Sequence, residues 1–102
     1  MTLSGKERAA LRAEANRLSV SVHVGHNGVV AGTLTALDDT LRTRELVKVQ
    51  LSKHADRTPK VIANDLATAT QSEVVQVIGR TATFYRHNPE LEQKGDTPPW
   101  RE

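Results

Sequence analysis

Between residues 20 and 85 the hydrophobic period switches repeatedly between two and about 3.6, which restricts the chain to alternating strands and helices. Val20-Ser21-Val22-His23-Val24 alternates and reads as a strand. Val30, Leu34, Leu37 and Leu41 follow at helical spacing and predict a helix over 29–44. Leu46 to Leu51 alternates again, with Val47, Val49 and Leu51 on one side and Lys48 and Gln50 on the other. Thr58-Pro59 has the form of an N-cap followed by proline at the first helical position. Ile62, Leu66 and Ala69 supply that helix with an inner face. Val74 to Ile78 is a third strand, and Gly79-Arg80 suits a two-residue hairpin into a fourth, Thr81 to Tyr85. Ahead of all these, Ser4-Gly5-Lys6-Glu7 has the spacing of a capping box and opens a helix running to Leu18. Its Ala10, Leu11, Ala15 and Leu18 turn inward.

The order αβαβαββ predicts an α/β domain of two layers. Two strand–helix–strand crossovers let the first three strands run parallel with right-handed connections. The hairpin makes the last strand antiparallel, so the four-stranded sheet is mixed. The strands alternate instead of being apolar throughout, as strands buried on both faces would be. Helices are therefore expected mainly on one face, leaving Ser21, His23, Lys48 and Gln50 at least partly exposed on the other.

At 102 residues there is room for one small domain, expected over 1–86, with 87–102 as a flexible tail marked by Pro89, Pro98 and Pro99. Trp100 is its one aromatic, read first as an exposed tail residue and second as a partner contact. With only Phe84, Tyr85 and Trp100 as aromatics, the core must be aliphatic, and an aromatic platform for stacking bases is missing. The absence of cysteine excludes disulfides and thiolate chemistry. No apolar run is long enough for a membrane span, and Met1 to Lys6 lacks a signal-peptide pattern, so a cytoplasmic location is expected. The net charge is +2, but residues 1–86 carry +4 and the tail −2. A modestly basic domain permits a nucleic-acid partner without establishing one.

Parallel strands share a carboxyl edge, where open α/β sheets favour ligands. The segments leaving it are Gly25–Gly28, Ser52–Thr58 and Gly79-Arg80. They gather His26, Asn27, Lys53, His54, Arg57 and Arg80, with Asp56 as the one acid. Gly25-His26-Asn27-Gly28 is a GxxG loop between strand and helix. Its glycines allow unusual backbone angles and remove side chains, so a sugar–phosphate backbone can come close. The helix that follows directs N–H groups and partial positive charge toward the same place. A GxxG loop clamping nucleotides is a known device, although two glycines at this spacing are by themselves more often a tight turn.

Beyond this loop, several ordered blocks resemble a known family. Leu3-Ser4-Gly5-Lys6, Leu11-Arg12 and Leu18 precede Val24-Gly25-His26-Asn27-Gly28-Val29. Glu45-Leu46-Val47-Lys48-Val49, Val77-Ile78-Gly79-Arg80 and Tyr85-Arg86 follow. From Leu3 to Arg86 the chain resembles a bacterial stand-alone CRM (chloroplast RNA splicing and ribosome maturation) domain of the YhbY type. The resemblance implies a fold similar to the C-terminal domain of translation initiation factor three, with an added N-terminal helix. It implies RNA binding through Gly25, His26, Asn27, Gly28 and neighbouring bases, and association with ribosomal RNA in precursors of the large subunit. In plants, related domains occur in proteins that assist intron splicing. The family's loop usually has lysine where His26 stands. An imidazole with its ordinary pKa of about 6.5 carries little charge at neutral pH, which weakens phosphate attraction or makes it pH-sensitive. A proline common before the first strand is Val20 here.

Other chemistry finds less support. The four histidines lack metal-ligand spacing, so no metal or cofactor is expected. Asp38-Asp39 are adjacent on a helix and point apart. Ser21 and His23 share a strand face without an orienting third group. The expectation is a non-enzymatic, monomeric RNA-binding protein using Gly25–Gly28, Lys53, His54, Arg57 and Arg80. The alternative is a protein-interaction module of the ribosome or RNA-processing machinery that touches RNA incidentally. A small enzyme for phosphorylated compounds is a third reading, for which no acid–base pair speaks.

Overall fold

The computed structural model describes residues 4–25, 30–53 and 58–88. The elements are α1 (Gly5–Ala15), β1 (Val22–Val24), α2 (Ala31–Arg44), β2 (Leu46–Leu51), α3 (Pro59–Thr70), β3 (Glu73–Ile78) and β4 (Thr81–Tyr85). The sheet order is β1-β2-β4-β3. β1 and β2 are parallel, and β4 is antiparallel to both β2 and β3. The first three strands therefore share a direction, as their crossovers predict. β3 does not lie beside β2, because β4 folds back into the gap between them.

Alternation divides the sheet into two faces. Val22, Val24, Val47, Val49, Leu51, Ala82 and Phe84 pack against Leu37 and Leu41 of α2 and Ile62, Ala63, Leu66 and Ala67 of α3. Phe84 is fully buried at the centre of this aliphatic cluster. Truncating such a side chain typically costs about 3–5 kcal/mol. On the opposite face, Leu11 of α1 meets Leu46, Val75 and Tyr85, with Leu18 alongside. Two helices thus cover one face, and α1 covers one end of the other.

Local chemistry sets the element ends. Ser4 and Glu7 complete the expected capping box. The Glu7 carboxyl lies below its ordinary range, first because of the backbone hydrogen bond from Ser4 and second because of the Ser4 side chain. α1 stops at Ala15 rather than Leu18, where Lys48 Nζ donates to the carbonyls of Ala15 (3.3 Å) and Leu18 (3.4 Å). A cation at a helix C-terminus is favourable to the dipole. Val30 is the N-cap of α2 and lies outside its apolar stripe, exposed at 43%. Thr58 caps α3 by accepting from the Val61 amide. Ala69 is exposed, and Ala63, Ala67 and Thr70 take the inner positions with Ile62 and Leu66. In β3 the pairing shifts register between Val74 and Gln76. The extra residue, Val75, faces α1 while Val74 and Val77 stay with the main core.

Opposite the carboxyl edge, Arg86 locks three elements together. Its Nη1 donates to Asp38 Oδ1 (2.6 Å) and the Thr70 carbonyl (2.8 Å), and Nη2 donates to the Asp38 carbonyl (3.1 Å). Beside it, Glu45 ends α2 with φ +64° and is 1% exposed. Its carboxylate accepts from the Asn88 amide.

Candidate nucleic-acid interface

The carboxyl edge is assembled by main-chain hydrogen bonds among the three segments that leave it. The Ser52 amide donates to the Val24 carbonyl (3.0 Å), joining the exits of β1 and β2. The Leu51 amide donates to the Arg80 carbonyl (2.7 Å), and Arg80 Nη1 donates to the Ser52 carbonyl (3.1 Å). The exits of β1 and β2 and the β3–β4 turn therefore meet, bringing Gly25, Lys53 and Arg80 to one end of the sheet. All three are exposed. His26, Asn27, Gly28, His54 and Arg57 lie outside the described residues.

Two glycines at this edge serve different purposes. Gly79 has φ +58°, which the tight β3–β4 turn demands and L side chains resist. Gly25 has no positive φ, and a Cβ built there meets none of the described residues within 4 Å. Of the two reasons for glycine read from the sequence, unusual backbone angle does not apply at Gly25. What remains is the missing side chain, which leaves room beside the described residues for an incoming group to approach the main chain.

The helix starts add to the electrostatics. α2 follows the loop with no side-chain cap and no acidic residue in its first turn. α3 likewise has no acidic residue in its first turn. Neither first turn therefore offsets its helix's partial positive charge with a carboxylate of its own. Lys60, on the first turn of α3, is a further exposed cation that sequence reasoning missed. Its position just inside a helix that begins at this edge was the available signal. Val30, Val61 and Ile78, the exposed large hydrophobics among the described residues, also sit at the beginning or end of elements on this edge. They add apolar surface to this end of the sheet.

Other residues weighed from sequence belong elsewhere. Lys48 holds the end of α1, and Arg86 is committed to the opposite edge. Ser21 Oγ accepts from Arg44 Nη1 at 3.2 Å, which ties it to α2 and not to His23. His23 is exposed on β1. Among the described residues there is no group of three His, Asp or Glu side chains that could hold a metal. None of the described helices is long and apolar enough to cross a membrane.

Comparison with known proteins gives a consistent result. The profile of the CRS1 / YhbY (CRM) domain matches residues 3–86. The probable RNA-binding protein YqeI of Bacillus subtilis is 31% identical over 91 residues, covering 89% of this chain and 95% of that one. An RNA-binding protein of Haemophilus influenzae is 33% identical over 89 residues, covering 87% and 90%. The solution structure of the hypothetical protein SAV1595 from Staphylococcus aureus matches with a TM-score of 0.73 at 35% identity, covering 85% of this chain and 91% of that one. The two named relatives are binding proteins, in agreement with the reading of the chain as non-catalytic. With the profile spanning every described helix and strand, the chain belongs to the CRS1/YhbY (CRM) domain family.

Proposed function

We propose that this protein binds RNA along its carboxyl edge and associates with ribosomal RNA in precursors of the large ribosomal subunit. The observation that carries this reading is the convergence of Gly25, where a Cβ would meet none of the described residues, with Lys53, Lys60 and Arg80 beside two helices whose first turns carry no acidic residue. Phosphates are held by main-chain N–H groups of the Gly25–Gly28 loop and the start of α2, and His26 and Asn27 lend side-chain donors. Lys53, His54, Arg57 and Arg80 supply attraction and orientation. Such contacts read backbone shape more than base identity. The RNA-binding unit is residues 1–86, acting as a monomer in the cytoplasm, with 87–102 as an appended tail. Relatives named as RNA-binding proteins support the class of ligand.

Co-sedimentation with large-subunit precursor particles tests this reading. The wild-type chain is expected to travel with the particles, and a Gly25→Asp/Gly28→Asp variant of verified fold is expected to stay behind. Equal association of both proteins would overturn it.

A further inference from the structure

The sheet face that α1 leaves uncovered holds a cavity of about 140 Å³, lined by Asn16, Lys48, Gln76, Ile78, Thr81 and Thr83. Strand register explains its shape. Lys48, Thr83 and Gln76 form one row across β2, β4 and β3, and Gln50, Thr81 and Ile78 form the next. Asn16, the C-cap of α1, closes one end.

Thr83 is the unusual member. It is 1% exposed and lines the cavity, yet its hydroxyl makes no hydrogen bond among the described residues. Buried hydroxyls are normally hydrogen-bonded. The neighbouring Thr81 hydroxyl, by contrast, donates to Gln50 Oε1 (3.3 Å). The side-chain amides of Asn16, which is exposed, and Gln76, which is half-buried, make no hydrogen bond to other described residues and are open to a ligand. Each presents both a donor and an acceptor. Ile78, 62% exposed, gives the site an apolar wall.

These groups ask for a small ligand carrying donors and acceptors on its rim and an apolar face. An apolar cavity of about 150 Å³ takes a single benzene ring, so this one has the volume to seat one six-membered ring. Ile78 and Thr81 flank the Gly79-Arg80 turn, so the cavity adjoins the basic edge. We infer that the open sheet face is a second subsite, which receives one unstacked pyrimidine base of the RNA, with Thr83, Gln76 and Asn16 hydrogen-bonding its edge and Ile78 covering its face. The inference deepens the RNA-binding reading by adding a base preference to a backbone clamp, and rests on that reading for its natural ligand.

Two measurements test it. In the first, free uridine, cytidine and adenosine are titrated into the full chain while backbone amide resonances are followed. Nucleosides lack phosphate and so do not depend on the basic edge. Saturable shifts at Gln76, Ile78, Thr81 and Thr83 with the pyrimidines, and weaker ones with adenosine, are expected. In the second, single-stranded oligouridine and oligoadenosine of equal length compete for the wild type and for Thr83→Val and Gln76→Ala. The wild type is expected to prefer oligouridine by about fivefold or more. Both variants should lose the preference and keep the salt dependence of binding. Absence of nucleoside shifts at these residues, or a preference unchanged in both variants, would overturn the subsite. Nucleoside shifts in a protein whose RNA binding ignores the glycine loop would instead overturn the edge reading and leave the subsite standing.

Discussion

Arg80 Nη1 donates to the carbonyl of Ser52 at 3.1 Å, while its own carbonyl accepts from Leu51 at 2.7 Å. One residue of the β3–β4 turn thereby fixes the exit of β2 and leaves an exposed cation beside Lys53. Arg80→Ala is expected to cost the fold about 1 kcal/mol, the net worth of one such hydrogen bond. It should also reduce the magnitude of the RNA salt slope by about 0.7–0.9. Arg80→Lys keeps the charge and is expected to retain most of the slope. Denaturant melts and binding at several salt concentrations check both effects.

Gly25 and Gly79 separate ligand access from folding. Gly79→Ala places a Cβ at φ +58° and is expected to lose about 1 kcal/mol of stability. Gly25→Ala is expected to change stability by less than about 0.5 kcal/mol, because its Cβ meets none of the described residues within 4 Å. It should nonetheless weaken RNA binding by crowding the approach to the main chain. Thermal melts paired with binding curves for the two variants provide the check.

Arg86 offers the complementary control. Arg86→Ala removes three hydrogen bonds that tie β4 to α2 and α3. A loss of about 2 kcal/mol is expected, within the range for bonds to charged groups. Arg86 lies at the edge remote from Gly25, so RNA affinity per folded molecule should be unchanged. Urea titration and binding below the melting range test this.

Acid should loosen α1 first. The Glu7 carboxyl is held below its ordinary range by hydrogen bonds with Ser4. A depressed value in the folded state means that its contribution is present above the unfolded value and lost as pH falls through the folded one. Faster amide exchange in the first turn of α1 below about pH 4 is expected. Glu7→Gln keeps the capping geometry without titrating and should abolish the pH dependence.

His26 follows the first glycine of the Gly25–Gly28 loop, and a lysine there would carry a full charge where an imidazole carries little at neutral pH. His26→Lys is expected to tighten RNA binding at pH 7.5 and steepen the slope by about 0.7–0.9, the contribution of one phosphate contact. Binding curves in a salt series at that pH give the answer.

The elements were legible because local signals agreed with the final fold. Ser4 with Glu7, Thr58 with Pro59, and Gly79-Arg80 each mark a boundary, and all three appear in the structure. Direction of the first three strands followed from their crossovers. The position of β4 did not, because the hairpin dictates only that β4 lies next to β3, not on which side. The placement of α1 was equally hidden. Leu11 and Ala15 announce an apolar stripe, but nothing in them selects a sheet face. The Val74-Val75 pair conceals the register shift, since two adjacent valines suit either face. Glu45 reads as polar before a strand, and only long-range packing reveals it as a buried acid meeting Asn88. At the candidate site, the meeting of Gly25, Lys53 and Arg80 followed from topology. Lys60 was open to the same argument from the Thr58-Pro59 cap, whereas the cavity above Thr83 was not, because it depends on which strand occupies the centre of the sheet.

The most direct test of the central claim is binding to large-subunit ribosomal RNA across a salt series, for the wild type and for Gly25→Asp/Gly28→Asp of verified fold. The wild type should give a log–log slope equivalent to several phosphate contacts, each contributing roughly −0.7 to −0.9, and the variant a weaker and flatter line. Identical lines, or no binding by either protein, would contradict an RNA interface on the carboxyl edge and turn attention to protein partners.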